Sequence, residues 1–568
     1  MLKKIELKIQ QTEYENFYFT PQTVNLIVGP NNSGKSLFLR ELNENLQRYN
    51  NGKDSKILKN LEILPIKQSI VNEILSKNEK LEQNGKRISF FDNSGRAVDT
   101  IDRGRFDYYA IGNTHKEDMF PESAWLSFKR HVLGENTIFI NGATRLQSMN
   151  FEAFSTIDSN SYGVVSKIIN NEKLFDQLQK LIFEVFNLYI EIFINGSQAK
   201  FVLSREKMPE ELRLSIKPQA IDFLSNAYDE NETSDGRKAY LGILSQFIVG
   251  RPEIFLLDEP EAFLHPPLAR KLGQVISSIA HNDNKQVYIS THNSNLIMGC
   301  VEAHVPINVI RLTYNNEIPK AKLLNSKKLE FMMRNPLLRS TNVLDAIFYK
   351  NVIVTESDSD RAFYQEINNR LREFKPEWAI DDCLFLNAQN KQTVGVIVRT
   401  LREIGIPAAS ILDFDMIKDG GNVFTSYLSS VGIPKSLFSS FTSLKTEIQN
   451  EFPRKENGQY AKNSELKTQG LNFLKTNAVD KYESAQEFIE RLRKYGLFVV
   501  ENGELESWLP NIPIENHGTQ WLIKKFEAMG DDAKDSNYVK PTDGDVWQFL
   551  YNIKCWFENE NKKGMNIE

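Results

Sequence analysis

Cysteine and histidine are scarce in this chain of 568 residues, which has three of the first and seven of the second. Cys300, Cys383 and Cys555 lie far apart and form no C-x-x-C pair. That argues against a disulfide scaffold or a thiolate zinc site and fits a reducing compartment. No apolar run is long enough to span a bilayer. The opening Met1-Leu2-Lys3-Lys4-Ile5 lacks the apolar core of a secretory leader. A cytoplasmic protein with no membrane partner is therefore expected. There is no fixed-period repeat and no long low-complexity tract. Charge of one sign is not in large excess, the net being -5. A nucleic-acid partner thus needs a locally basic surface rather than a basic chain.

What is present is a phosphate loop. Gly29-Pro30-Asn31-Asn32-Ser33-Gly34-Lys35-Ser36 reads G-x-x-x-x-G-K-S and follows the apolar run Val24 to Val28. Glycines let backbone N–H groups close around a di- or triphosphate. Lys35 is placed to reach the β/γ-phosphates and Ser36 to hold Mg²⁺. A buried strand before the loop and a helix after it, with Leu37, Leu39, Leu42 and Leu46 at helical spacing, are predicted.

The length predicts more than one domain. Ile5, Leu7 and Ile9 alternate with charged residues as a half-buried strand, and Asn16 to Phe19 reads as a second. Residues from about 50 to 110 read as a β-rich insertion with turns at Gly52, Gly85, Asn93-Ser94-Gly95 and Gly104. Thr137 to Ile140 is a short strand, and Arg145 and Gln147 follow its end, where ligands often lie in α/β sheets. Val165, Ile168, Ile169, Leu174, Leu178, Leu181, Ile182 and Val185 recur at helical spacing, so a helical insertion serving packing or dimerisation is expected over about 150–230.

Further on, Ser234-Asp235-Gly236 opens a helix, a place suited to an anion. Ile254 to Leu257 is a buried strand that delivers Asp258 and Glu259. Asp258 is placed to share Mg²⁺ with Ser36, and Glu259 to polarise the water that attacks the γ-phosphate. A second buried strand, Val287 to Ser290, ends at Thr291-His292, which puts His292 in reach of the γ-phosphate. In this order the G-P-N-N-S-G-K-S loop, S-D-G, L-L-D-E-P and S-T-H resemble the ABC-type ATPases in the branch of the SMC and DNA-repair ATPases. The resemblance covers about residues 1–315. It implies ATP bound by Gly29, Asn31, Asn32, Ser33, Gly34, Lys35, Ser36 and Asp258. It also implies a homodimer in which Ser234 and Gly236 touch the nucleotide of the opposite head. T-S-D-G-R stands where that family has L-S-G-G-Q.

The stretch 316–348 is polar and turn-rich, with Pro319 and Pro336, and reads as a linker. Three more strand ends then carry acids: Asn351 to Thr355 before Glu356 and Asp360, Ala408 to Leu412 before Asp413 and Asp415, and Phe498 to Val500 before Glu504 and Glu506. Along an extended strand, residues i and i+2 share a face, so Asp413 and Asp415 are expected to face one site. Several hard oxygens of this kind suit a divalent cation. V-T-E-S-D-S-D and L-D-F-D resemble a Toprim domain over 349–568, with Ser357 where that family has glycine. An ABC head followed by Toprim is similar to the OLD family of nucleases, including the Gabija-type antiphage nuclease subunit. The fold class so implied is α/β: an ABC-type ATPase head with an inserted helical dimerisation segment, then a Rossmann-like Toprim domain.

The same resemblance implies Mg²⁺ or Mn²⁺ on Glu356, Asp360, Asp413, Asp415 and Glu506, and a lysine beside them. Lys540 is the first candidate for that lysine and Lys391 its rival. The function implied is an ATP-binding, metal-dependent DNA endonuclease or nickase with an antiphage role. Two readings stand beside it. One is a repair-type ATPase whose Toprim half binds nucleic acid without cutting. The other is a triggered effector that cuts RNA, held silent by a companion such as a helicase or a reverse transcriptase with its nucleic acid. Arg361, Arg370, Arg372, Arg399, Arg402, Lys524 and Lys525 are read either as phosphate contacts or as solvated helix faces.

Overall fold

In a computed structural model the chain divides into two compact units, Met1–Ser326 and Lys327–Glu568. The structure describes residues 1–565 apart from 11–15, 48–54, 69–70, 73–74, 76–78, 83–84, 92–96, 113–121, 154–162, 229–231, 250–252, 316–317, 458, 462–463 and 536. The turns expected at Gly52 and Asn93-Ser94-Gly95 lie outside the described residues. Among the described residues, no helix is long and apolar enough to cross a membrane.

The first unit is built on a six-stranded sheet. Its order is Ile318–Leu324, Ile307–Asn315, Val24–Val28, Gln286–Ser290, Ile254–Asp258, Thr137–Ile140. All neighbours run parallel except the first pair, an antiparallel hairpin. Val24–Val28 and Gln286–Ser290 are buried along their whole length. Burial of this kind is what a parallel sheet covered on both faces requires, and the polar Asn25 within it donates to the Val287 carbonyl at 3.3 Å. Helices Lys35–Gln47, Asp235–Ile248 and Pro266–Asn282 follow strand or loop signals and bury apolar stripes.

Around this core lie three small antiparallel sheets. One joins Asn16–Phe19, Leu2–Gln10 and Leu58–Ile63. A second joins Glu79–Glu82, Gly85–Phe91 and Ala97–Asp102, within the stretch read as β-rich. A third joins Tyr189–Asn195, Gln198–Ser204 and Glu152–Ala153. The inserted stretch thus carries a hairpin beside its helices Val164–Ile169, Glu172–Phe186 and Pro218–Ser225. Its turn is Gly196-Ser197, between the paired Asn195 and Gln198, with Gly196 at φ +60°, and a glycine opening a two-residue loop between strands is a signal of such a turn.

The stretch 316–348 is not free chain where it is described. It holds the edge strand Ile318–Leu324, helices Ser326–Arg334 and Pro336–Ser340, and a 3₁₀ turn Val343–Phe348. Its polarity is that of a sheet edge and of short helices with one buried face, such as Leu329 and Met332.

The second unit has a four-stranded parallel sheet, in the order Cys383–Asn387, Asn351–Thr355, Ala408–Asp413, Leu497–Val500. The chain winds from its first strand outward to the second, then back across to the third and fourth. The strand order therefore reverses between Asn351–Thr355 and Ala408–Asp413. At such a switch point the connections leave the carboxyl ends in opposite directions and open a crevice between them. A core of Phe363, Tyr364, Trp521, Trp547, Phe549 and their neighbours fills this unit.

Candidate functional sites

In the first unit, the loop after Val24–Val28 takes a shape that side chains would block. Gly29 has φ +137°, and a Cβ there would lie 2.0 Å from the Leu312 carbonyl oxygen. Gly34 has φ +93°, and a Cβ there would lie 2.7 Å from the Ile57 side chain. Asn32 is also left-handed, at φ 60°. Lys35 is buried, and its Nζ donates to the carbonyls of Gly29 at 2.9 Å and Pro30 at 2.7 Å. The buried Ser33 hydroxyl has no hydrogen-bond partner among the described residues. A cradle open only to glycine and an orphaned donor inside it fit a bound phosphate chain.

Asp258 and Ser290 are register partners on adjacent strands. The Ser290 hydroxyl donates to Asp258 Oδ1, and Ser290 O accepts the Glu259 N–H at 3.0 Å. His292 Nε2 lies 2.9 Å from Glu259 Oε1. Burial lowers the His292 pKa, and Lys35 lowers it further against the pull of Glu259 and Asp258. His292 is therefore biased toward neutral imidazole, able to donate or accept one proton. Asp258, Glu259, His292 and Lys35 thus converge at one edge of the sheet. Ser36 lies in the first turn of the helix Lys35–Gln47.

Ser234 stands at the N-cap position of the helix Asp235–Ile248, and its side chain makes no capping bond. Asp235 pairs instead with Lys238 at 3.4 Å. Gly236 has a packing reason to be glycine, because a Cβ would lie 2.8 Å from the Phe263 carbonyl oxygen. Sequence reasoning misses Glu261. Its carboxylate accepts from the Thr291 hydroxyl at 2.6 Å and from His292 N–H at 3.1 Å. Burial pushes it up to about 7. Its position, two residues after a catalytic-type acid and deep in an apolar turn, is the signal that could have found it.

In the second unit, acids meet at the switch-point crevice. The Asp413 N–H donates to Glu356 Oε1 at 3.0 Å. Asp360 closes a capping box with Ser357: its carboxylate accepts Ser357 N–H at 2.8 Å, and Ser357 Oγ accepts Asp360 N–H at 3.3 Å. Ser357 is thus the cap of the helix Asp358–Phe374, a use glycine could not supply. Burial pushes Glu356 up to about 7, with Asp415 and Asp360 adding to it against Lys391. Burial pushes Asp360 up to about 6, helped by Glu506 and Glu504. Asp413 is raised well above the usual range by burial and by Glu356, Asp360 and Asp415. Asp413 ends its strand, and Asp415 lies in the following 3₁₀ turn, Phe414–Lys418.

Asp415 behaves differently. Burial opposes its charge, yet Lys391 and Lys418 pair with it and bring it down to about 2. Glu504 pairs with Lys467 at 3.0 Å, and Lys467 also stands 3.6 Å from Asp415. No sequence signal marks Lys467, because it arrives from a separate short helix, Glu465–Thr468. Glu506 accepts from Gly518 N–H at 3.0 Å, and an oxygen of each of Glu504 and Glu506 lies within 4.8 Å of a His517 ring nitrogen. The carboxyl groups of Glu356, Asp360 and Asp413 mutually repel, and the lysines gather on Asp415 and Glu504. Among the described residues, Glu504, Glu506 and His517 are the group whose ligand atoms already lie within 4.8 Å of one another, so the oxygens of Glu356, Asp360 and Asp413 would have to draw together around a hard divalent cation such as Mg²⁺ or Mn²⁺.

Lys540, the first candidate for the site lysine, is elsewhere. It is exposed and lies over the Phe374 ring at 5.1 Å. Phe374 ends the helix Asp358–Phe374, about 21 Å along the axis from Asp360 at the usual helical rise. A lysine stem cannot cross that gap. Lys391 is the lysine beside the acids: burial opposes its charge, but Glu356 and Asp415 hold its pKa above the ordinary value.

Three basic residues weighed as phosphate contacts are neither that nor solvated. Arg370, Arg402 and Lys525 are buried. Arg370 donates to the carbonyls of Met529, Gly530 and Val539, Arg402 to those of Ala408 and Val431, and Lys525 to those of Trp508, Leu509 and Ile512. They satisfy main-chain carbonyls inside the core.

Comparison with known proteins gives the following. Residues 24–298 match the family described as "AAA domain, putative AbiEii toxin, Type IV TA system". An OLD nuclease of Thermus scotoductus is 26% identical over 211 residues, 33% of this chain and 38% of that protein. The ATP-binding protein p29 of Mesomycoplasma hyorhinis, a probable ABC transporter component by its name, is 25% identical over 251 residues, 43% of this chain and 85% of that protein. The phosphonates import ATP-binding protein PhnC 2 of Haloarcula marismortui is 27% identical over 85 residues, 15% of this chain and 31% of that protein. The match thus spans well under two thirds of the OLD nuclease and of PhnC 2. Among solved structures, an SMC head bound to the C-terminal winged-helix domain of ScpA aligns with 58% of this chain and 99% of its own, at 11% identity and a TM-score of 0.35. The chain resembles the OLD nuclease over those 211 residues, and residues 24–298 of its first unit match an AAA domain.

Proposed function

We propose that the protein is an ATP-binding, divalent-metal-dependent nuclease of the OLD type, with a Toprim-like region (349–568) within the second unit that cuts DNA. The observation that carries this reading is the meeting of Glu356, Asp360 and Asp413 with Lys391 at the switch point of a parallel sheet. The partial identity to an OLD nuclease supports it. Glu356, Asp360, Asp413, Asp415 and Glu506 would hold Mg²⁺ or Mn²⁺. When bound, such cations stabilise the entering and departing oxygens of a phosphodiester. Lys391, held charged between Glu356 and Asp415, adds a fixed positive charge where the phosphate becomes more negative. In the first unit, Lys35, Ser36 and Asp258 would hold ATP and its Mg²⁺, Glu259 would orient water, and His292 would meet the γ-phosphate. Ser234 and Gly236 would act on the nucleotide of a second copy, which makes the working form a homodimer or larger. The antiphage role, a cytoplasmic setting and a companion helicase or reverse transcriptase belong to the same proposal.

A second reading is favoured by one finding, the toxin named in the description of the matched family. On that reading the same acids cut RNA when triggered. The test is one assay with plasmid and total RNA side by side, Mg²⁺ or Mn²⁺, and ATP present or absent. Plasmid nicking that vanishes in Asp413→Ala supports the first reading, and RNA cleavage alone supports the second. Nucleic acid bound but never cut would leave the non-cutting repair-type reading. Lys35→Ala is expected to weaken ATP binding and leave metal binding in the second unit intact.

A further inference from the structure

We propose that Arg145 is a positioning residue for ATP hydrolysis, holding the turn that carries Glu259. The proposal rests on the reading of Glu259 as the residue that orients the attacking water. Arg145 comes from the 3₁₀ turn Thr144–Met149, after the strand Thr137–Ile140. That strand neighbours Ile254–Asp258 in the sheet, so its end opens beside the Asp258-Glu259 corner. Arg145 is buried, at 5% exposure. Its Nη1 donates to the carbonyl oxygen of Glu259 and lies 3.5 Å from that of Asp258. Its guanidinium sits 5.5 Å from the centre of the Phe263 ring.

The corner needs such a brace. Glu259 has φ 49° and Phe263 φ 71°, both left-handed and both costly for residues with a side chain. Main-chain bonds hold it from within or behind: Glu259 N–H to Ser290 O at 3.0 Å, Ala262 N–H to Glu259 O at 3.0 Å, and Leu264 N–H to Glu261 O at 2.9 Å. Arg145 grips the outer carbonyls with its side chain, and its charge is set against three acids, Glu261, Glu259 and Asp258. Burial lowers its pKa while those acids oppose the shift.

Arg145 does not resemble the buried core arginines of this protein. Arg402 spends all three guanidinium nitrogens on carbonyls. The Nε of Arg145 has no hydrogen-bond partner among the described residues. A side chain placed for general stability would be satisfied all round. This one reaches two adjacent carbonyls, those of Asp258 and of Glu259, and the carboxylate of Glu259 meets His292 at 2.9 Å. Fixing that backbone fixes where the carboxylate points, and small errors in such placement are costly to turnover.

The experiment is steady-state ATP hydrolysis by the full chain, with a fluorescent ATP analogue to measure affinity. The variants are Glu259→Gln, Arg145→Lys, Arg145→Gln and the double variant Arg145→Gln/Glu259→Gln. Arg145→Gln is expected to lower kcat by about 10- to 100-fold, the range for groups that orient a reacting side chain, with nucleotide affinity within about twofold. Arg145→Lys, which keeps a donor, should recover part of the loss. The double variant should be no slower than Glu259→Gln alone, since both act through one carboxylate. Additive losses in the double variant, or a loss of affinity with kcat unchanged, overturn the proposal. If Arg145→Gln does not fold, Arg145→Lys carries the test: wild-type kcat in a folded, nucleotide-binding Arg145→Lys overturns it. Full turnover in Glu259→Gln would instead remove the underlying reading of Glu259.

Discussion

The main-chain N–H of Asp413 is hydrogen-bonded to the side chain of Glu356, 3.0 Å away, across the two parallel strands between which the sheet order reverses. The bond ties one acid to the backbone of the next, so the pair is set by the sheet and not by mobile loops. Glu356→Gln keeps an acceptor for that N–H and removes the charge. It is expected to leave the melting temperature within a few degrees in metal-free buffer. It should abolish the stabilisation that Mg²⁺ or Mn²⁺ gives the wild type, about 2.7 kcal/mol at a hundredfold excess over Kd. Thermal melts with and without metal measure both. An undiminished metal shift in Glu356→Gln would remove this residue from the site.

Lys391 and Lys540 make opposite predictions. Lys391→Met should lower nuclease turnover by about 100- to 1,000-fold, the usual cost of losing one fixed donor to a developing negative charge. Lys540→Met should leave turnover unchanged, because its ammonium lies over Phe374 at the far end of the helix. Single-turnover nicking assays at saturating metal separate the two. A defect confined to Lys540→Met would reverse the assignment.

Glu261 gives stability a pH dependence of known sign. Burial raises its carboxyl from an unfolded value near 4.5 to about 7 in the folded protein. Between those values the folded chain holds the extra proton, so stability falls as pH rises through that window. Glu261→Gln has no proton to lose there. Its melting temperature relative to wild type should therefore climb between pH 5 and pH 8. Melts across that range check it, and a difference that is flat or falls with pH contradicts the burial of an ionisable Glu261.

Arg402 carries the fourth prediction. It bridges the carbonyls of Ala408 and Val431 and lies 4.9 Å from the centre of the Trp556 ring. Arg402→Met fills much of the space but strands those carbonyls. A loss of about 3 kcal/mol follows from buried acceptors left unpaired. Urea denaturation of the variant measures it, and a loss below about 1 kcal/mol would mean that water reaches those carbonyls.

The local parts of the protein are open to a reader of the sequence. Val24–Val28 and Ile254–Asp258 read as buried strands because three or four consecutive apolar residues before a turn signal have few other uses. The hairpin Tyr189–Asn195 with Gln198–Ser204 is also signalled, by Gly196-Ser197, but the helical stripe before it favours a helical reading of the whole stretch. Lys467 and Lys391 are harder. Which lysine meets Asp415 depends on how separate helices return to one crevice, and no spacing encodes that. Arg370, Arg402 and Lys525 look like surface charge because cations are rarely buried. Their burial follows from core carbonyls that needed donors.

The amino-acid order alone determined the strands that lead into the phosphate loop and into the acids, the loop itself and those acids, since these rest on residue type and short-range periodicity. Only the tertiary structure decided which groups meet. Parallel pairing brings strand ends from far apart in the chain to one edge, and burial there sets their charge. Glu356 and Asp415 carry the same functional group, yet Glu356 is pushed up to about 7 and Asp415 is brought down to about 2, because the cations gather on Asp415 while burial and neighbouring acids dominate at Glu356.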